Sequence, residues 1–569
     1  MKAMFARVVP ALRTPVGVEG FDYRVPEGCA VECGDVARIL FRGRPQIGLV
    51  TDLREQSPFA HKASPLQGVM VGMRLPETLL GLLAWTAAVT FQSQPTVFKS
   101  WIHTLPHRLP EKSLLRQTRL PFGGTWQHHW QTDPLHALVE KSKALLRKHQ
   151  RLLILTPWLA SAEHLRALLP ESGMLHSGMT NAQAFRAWHG FLSGEMRCLI
   201  TTRLGAWLAP CADQVLIQEP EQDGYKQDEL APRYDARKMV EWCATHAGTR
   251  VESFGLTPPL AKEEEPAPTI DAALTIHVRH PQGRSKIPLV QADTLNAVRD
   301  HLGPRVIIHP IRGLLARLVC RDCGWRATCE ACGFGLSETL EGTICRHCGK
   351  KRVTPESCPH CHGADLGKSL PGIEKLKQAW AVHEPDTTVE WRDLSPESMD
   401  RPFPSEALVV VTDAALLGGM SEDVRRRERQ CLAFRRLADR VRSARGRLLI
   451  QCHEELAALW PSWLTNEGVQ AFHTQERKER ALFGYPPAMR LVKAIITGSE
   501  QDAISWSEKA KKLDFRGPFP VAYRLRARQS RWIFHLLFPA ETTDAVLMET
   551  LAPLAGQAIL DLDPVAFFA

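Results

Sequence analysis

Eight cysteines between Cys320 and Cys361 are the residues whose type and spacing most clearly specify chemistry in this chain. They form four CxxC pairs: Cys320/Cys323, Cys329/Cys332, Cys345/Cys348 and Cys358/Cys361. The two thiolates of such a pair can take adjacent corners of a tetrahedron. Four pairs complete two four-sulfur sites with no open position, and closed all-cysteine sites are structural rather than catalytic. The array therefore predicts two Zn2+ ions. Glycine directly follows Cys323, Cys332 and Cys348, where it lets backbone amides turn toward sulfur. Iron–sulfur clusters also use four thiolates, but paired knuckles with basic and glycine residues between them favour zinc. Zinc binding worth roughly 10–16 kcal/mol per site at neutral pH would fold a segment poor in large apolar side chains. Spacing alone leaves open which pairs share an ion. His347, His360 and His362 lie nearby, and with the sites full they read as surface or DNA-facing groups. The other seven cysteines form no second array and read as small packed hydrophobes.

The elements that position this array belong to a long chain. Its 569 residues, 44% hydrophobic and 23% charged, fit a globular protein of three to five domains. No secretory signal is read at the start, and the longest apolar run, Leu79 to Phe91, is too short to span a bilayer. A cytoplasmic protein is expected. The net charge is +9, and the segment from Val424 to Arg447 holds ten arginines and two acids, +8 by itself. Such a segment is either a polyanion-binding helix or a solvated face.

Residues 1–105 read as a small mixed domain of short strands with a helix from about Pro76 to Ser93. From Leu135, apolar runs at 151–157, 197–203, 214–220 and 250–258 alternate with helical sequence, the pattern of a parallel sheet covered on both faces. An acidic, proline-rich linker is expected at 261–269. A second α/β unit follows over 270–319 and 367–473, with strands at 304–310, 407–413 and 446–451. The cysteine-rich segment, 320–366, is an insertion in it. Residues 106–134 read as a linker, and 474–569 as an α+β C-terminal domain.

Several segments resemble, in order, the PriA family of bacterial replication-restart helicases: FDYRVPEG (21–28), LHSGMT (175–180), TTRLGAWLAP (201–210), GYKQDELAPRYDAR (224–237), the cysteine array, RKERALFGYPPAMRL (477–491) and LDLDPVAFF (560–568). The resemblance implies two RecA-like helicase lobes, a 3′-DNA-end-binding domain and a nested zinc arrangement. In that arrangement Cys320, Cys323, Cys358 and Cys361 hold one ion, and Cys329, Cys332, Cys345 and Cys348 the other. It also implies DNA contacts at Phe21 and Asp22, which would stack on a 3′-terminal base and accept from its hydroxyl. Tyr225, Lys226, Arg233, Tyr234 and Arg237 of the aromatic-rich loop would contact single-stranded DNA. Arg524, Arg526 and Arg528 alternate, so a strand would put them on one face toward phosphates.

The departures from the family are concentrated in the ATPase motifs. A P-loop needs glycines, a lysine and a Ser/Thr hydroxyl; at 121–134 the chain has Gly123 and Gly124 but no GK[ST], and no GxxxxGK[ST] occurs anywhere. Gln218 stands where the magnesium-binding aspartate is expected, followed by Glu219, Pro220 and Glu221. The arginine-finger segment keeps Arg440 but has Ser443 where a second arginine would sit. Gln67 replaces a basic residue of the 3′-end pocket, and too few residues are present for a winged-helix domain. Phosphoryl transfer relies on all three charge-stabilising parts, so neither catalytic residues nor ATP/Mg2+ are expected. The expected function is a zinc-containing protein that binds stalled or branched forks and single-stranded DNA. It would promote primosome assembly through helicase-loading and single-stranded-DNA-binding proteins, in the bacterial cytoplasm at the nucleoid. The alternatives are an active 3′–5′ helicase with an atypical nucleotide site, and a zinc module that binds proteins without DNA.

Overall fold

A computed structural model of the chain describes residues 4–102, 124–262, 265–280, 283, 285–310, 319–320, 322–323, 325, 327–329, 336–339, 342–345, 351–353, 355–367, 372–418, 423–521 and 530–567. It is a mixed α/β protein with several sheets.

The N-terminal sheet is antiparallel. Its strand order is Phe21–Arg24, Phe5–Pro10, Arg44–Arg54, Asp35–Phe41 and Gly68–Arg74. The helices Glu77–Val89 and Gln94–Trp101 follow it. Their buried Leu79, Leu82, Leu83 and Phe98 share one hydrophobic core with the next sheet.

That second sheet is parallel throughout, in the order Trp126–Trp130, Arg250–Gly255, Gln214–Gln218, Leu152–Leu155, Cys198–Thr201 and Gly173–Leu175. The run LLIL is buried at every position, as a strand covered on both faces must be. The strand Trp126–Trp130 falls inside the stretch 106–134 that the sequence reads as a linker. The strand is half polar in sequence, but His129 Nε2 lies 3.0 Å from Glu252 and Ser253 Oγ 2.8 Å from His128 Nδ1 on the neighbouring strand. These partners let histidines sit in the sheet.

A second parallel sheet runs Ala273–Val278, Arg447–Cys452, Leu408–Val411, Arg305–Ile308 and Glu390–Arg392. The 18-residue helix Arg426–Ser443 packs on it through Cys431, Phe434, Leu437, Ala438 and Val441. The cysteine-rich segment lies in sequence between two strands of this sheet. It carries a two-stranded ladder, Val319–Cys320 with Leu366–Gly367, and a three-stranded one from Leu336 to Arg352. The last sheet is antiparallel, in the order Phe515–Val521, Ser530–Pro539, Met489–Gly498 and Ile559–Leu562. Among the described residues no helix is long and apolar enough to cross a membrane.

Candidate functional site

Three places gather chemistry-bearing side chains. The first is the cysteine cluster. The Sγ atoms of Cys320, Cys323, Cys358 and Cys361 all lie within 4.8 Å of one another. Cys320 is 3.6 Å from Cys361 and Cys323 is 3.7 Å from Cys358, so the outermost pairs meet although some forty residues separate them. The ladder that begins at Cys320 sets this closure. The Cys320 amide donates to Trp325 O at 2.7 Å, and the Cys358 amide to Gly363 O at 2.9 Å. Three of the four cysteines are buried. Burial pushes the Cys320 thiol up to about 11, and a bound divalent cation would reverse that preference by stabilising thiolates. An all-sulfur donor set of four fits Zn2+. Of the other four cysteines, Cys329 is buried and Cys345 ends the strand Gly342–Cys345. Cys332 and Cys348, like His347, lie outside the described residues. The exposed His360 imidazole lies 3.3 Å from Glu455, and the His360 backbone amide donates to Cys358 Sγ at 3.4 Å.

The second place is the cleft between the two parallel units, where a nucleotide would be expected. The turn from the strand Trp126–Trp130 into the helix Pro134–Arg147 is Gln131, Thr132 and Asp133, with no glycine. Gly124 precedes the strand, at the wrong end to cradle phosphate, and Gly123 lies outside the described residues. Asp133 sits in the left-handed region (φ 52°), caps the helix, and donates its own amide to Asp439 of the arginine helix at 2.9 Å. Glu219, also left-handed (φ 46°), pairs with Arg436 at 2.7 Å and Arg440 at 3.6 Å. Asp400 takes the same two arginines at 2.5 and 2.7 Å and accepts from Ser161 Oγ of the first unit. Burial opposes ionisation of Asp400, but Arg436 and Arg440 hold its carboxyl below the ordinary range. The space that remains is about 220 Å³, under the usual range of small-molecule sites. Beside it, burial and then the Glu219 charge push Glu221 up to about 7.

The third is a groove of about 410 Å³ between the N-terminal domain and the first parallel unit. It brings together His176 of LHSGMT, Arg203 of TTRLGAWLAP, and Gln227 and Tyr234 of the 224–237 loop. Arg13 and Lys99 of the N-terminal domain and the half-buried Trp158 join them. Sequence reasoning missed Arg13, Lys99 and Trp158. Lone cations beside helix or strand ends carry no pattern, and only the fold puts them opposite the motif residues.

Most of the other expected DNA contacts are engaged within the protein in this structure. Tyr225 is fully buried, and its hydroxyl donates to Leu155 O at 3.1 Å. Lys226, 3% exposed, donates to Leu562 O at 2.7 Å and pairs with Asp561 at 2.8 Å. Arg233 reaches the same Asp561 at 3.4 Å. Arg237 is bound to Asp235 at 2.6 Å and to Pro220 O at 2.8 Å, over the Tyr225 ring. Tyr234 is 8% exposed but does border the groove. Phe21 packs on Phe41, with ring centroids 5.1 Å apart. The Asp22 carboxylate is taken by Arg7 at 3.1 Å and Ser57 at 2.6 Å. Arg524, Arg526 and Arg528 lie outside the described residues.

The arginine-rich helix is likewise turned inward. Arg425 and Arg429 both pair with Asp223, at 2.8 and 2.9 Å. Arg435 is fully buried and donates to Thr257 Oγ1 and Pro268 O. Only part of this helix remains a solvated basic face.

Comparison with known proteins places these features in a family context. Residues 11–103 match the sequence family described as the 3'DNA-binding domain (3'BD). Over 438 residues the chain is 25% identical to the replication restart protein PriA of Haemophilus influenzae, an alignment covering 66% of this chain and 58% of that one. It is 23% identical to the protein of that name from Thermotoga maritima, covering 69% and 59%. It is 20% identical to that of Rickettsia conorii, covering 85% and 86%. The alignments with the first two thus span about three fifths of those relatives' length.

Proposed function

We propose, from the premise that this chain is a relative of the replication restart protein PriA, that it is a fork-binding scaffold without a motor. The observation that carries the reading is the groove between the 3'BD-matching domain and the first parallel unit. There Arg13, Lys99 and Arg203 can neutralise phosphates, and Trp158 offers an aromatic face. Cations alternating with aromatic surface suit single-stranded DNA regardless of its sequence. A groove shared by two domains suits recognition of a branch by shape.

The two parallel units are degenerate RecA-like lobes. Catalysis by such lobes needs a phosphate cradle, a metal-binding carboxylate and an arginine aimed at the transferring phosphoryl group. Here Arg436 and Arg440 are engaged by Glu219 and Asp400, Gln218 carries no charge, and the strand–helix turn donates toward the Asp439 carboxyl instead of a phosphate. The cysteine array holds two zinc ions, one at Cys320, Cys323, Cys358 and Cys361 and one at Cys329, Cys332, Cys345 and Cys348. It forms part of a surface for helicase-loading proteins in a cytoplasmic primosome.

The test is anisotropy of labelled forked and fully duplex DNA of equal length, with phosphate release followed in parallel. Preferential fork binding with no release at saturating ATP and Mg2+ is expected. Equal affinity for fork and duplex would refute the fork reading, and DNA-stimulated release would refute the loss of the motor.

A further inference from the structure

The strand Trp126–Trp130 is an edge of its sheet, and residues 126, 128 and 130 share one face. Their rings form a ladder. Trp126 and His128 have centroids 5.4 Å apart at 27°, and His128 and Trp130 5.6 Å apart at 5°. Burial holds the His128 imidazole below its ordinary range, and its Nδ1 lies 2.8 Å from Ser253 Oγ. The ladder is thus neutral at physiological pH, with the negative ring faces of ordinary aromatics.

This ladder is one wall of a cavity of about 970 Å³, at the upper end of the range for ligand sites. Glu221, Glu241, Glu265 and Glu428 also line it. The cations that border it are already paired: Arg237 with Asp235, Arg425 with Asp223 and Glu428, and Lys262 with Glu265. Glu221 is different. It is 8% exposed, its Oε1 accepts from the Leu256 amide at 3.0 Å, and its Oε2 has no hydrogen-bond partner among the described residues. A buried carboxylate oxygen left in this way is costly, and it sits beside the Trp130 ring, over Gly255.

Glu221 and Glu241, which none of these cations pairs with, oppose a phosphate here. A cation with a flat face answers both features at once. Guanidinium is planar, stacks on indole faces, and donates N–H groups in a fork to a carboxylate. We propose that this cavity is a guanidinium-binding site, in which the cation lies against the Trp126–His128–Trp130 ladder and donates to Glu221 Oε2. The guanidinium is carried by a small molecule or by an arginine of an extended peptide.

The test is calorimetric titration of the full chain with N-acetyl-L-arginine amide, with a tetrapeptide carrying one arginine, and with guanosine. Millimolar or tighter binding of the amide is expected, weakened about tenfold or more by Glu221→Gln, because a charge-assisted bond is lost. Tighter binding of the tetrapeptide assigns a peptide source, and equal binding assigns a small molecule. Should Glu221→Gln not fold, Trp126→Leu serves in its place and should weaken binding in the same direction. Absence of binding, affinity unchanged in both variants, or preference for guanosine over the amide would each overturn the proposal.

Discussion

The guanidinium of Arg436 crosses from the second parallel unit to Glu219 of the first, with Nε 2.7 Å from Oε2. Asp400 holds the far side of the same guanidinium at 2.5 Å. Both carboxylates are at least nine-tenths buried. A pair of this kind is not in itself stabilising, because desolvation offsets much of the attraction. Removing one partner is another matter. Arg436→Ala would leave two buried carboxylates dependent on Arg440 alone. A loss of roughly 3–5 kcal/mol is expected in urea unfolding. If the cleft closes on protein charges in this way, ATP and Mg2+ should leave the thermal midpoint unmoved; a nucleotide-dependent rise would contradict it.

The eight-cysteine array, of which one four-sulfur cluster is assembled among the described residues, predicts metal stoichiometry. Native mass spectrometry of the full chain should find two zinc ions. Cys358→Ser should lose one and leave the other, since only Cys320, Cys323 and Cys361 would remain around the first site. Loss of both ions from that variant would mean that the two sites fold as one.

Glu221 sets a pH dependence opposite to that of Glu428. Its carboxyl rises from an ordinary 4.5 to about 7 in the folded chain. Between those values the folded state keeps a proton that the unfolded chain has released, so stability falls as pH rises through the window. The gap is worth at most about 3 kcal/mol. Glu221→Gln should therefore be more stable than the parent at pH 8 and equal to it near pH 4.5. Glu428 acts in the reverse sense. Despite burial, Arg425 and Arg480 hold it down to about 2, so its contribution is present above 4.5 and fades toward 2. Chemical denaturation of the parent and Glu221→Gln across pH 4.5 to 8 reads the Glu221 contribution, and extension of the parent's series from 4.5 toward 2 reads that of Glu428.

These charges show where sequence reading stops. LLIL and LVVV were legible as strands because both faces are buried and every position is apolar. WQHHW was not, since its histidines are tolerated only through Glu252 and Ser253, more than 120 residues away. The arginine helix was legible as charge. Its direction was hidden because its acids, Asp223 and Glu219, lie about two hundred residues earlier in the chain. The outer cysteines meet as the family resemblance implied, yet CxxC spacing left their partner undecided until the ladder Val319–Cys320 with Leu366–Gly367 closed the loop. In the 224–237 loop the aromatic and basic composition was legible and its surroundings in the fold were not. Tyr225 and Lys226 face inward because Leu155, Leu562 and Asp561 supply acceptors that only the fold assembles.

That inward turn yields the sharpest separation of DNA contacts from structural cations. Arg13 and Lys99 are exposed at the groove, and Arg203 is half buried there. Lys226 is buried and held by Asp561, Leu562 O and Arg233 O. Phosphate contacts release counterions, and for single strands the slope of log affinity against log salt is about −0.7 for each phosphate neutralised. Replacing Arg13, Lys99 and Arg203 together by alanine should reduce the slope by about 2 and weaken binding to every sequence alike, with folding intact. Lys226→Ala should leave the slope as it was. Its effect should fall on stability instead, because Asp561 then keeps a buried charge with Arg233 and Lys493 as its remaining cations. The measurement is fluorescence anisotropy of an oligothymidine between 50 and 200 mM salt, a range over which such slopes are well resolved, paired with urea unfolding of the same preparations. A Lys226→Ala slope reduced by about 0.7 at unchanged stability would return the 224–237 loop to the DNA surface.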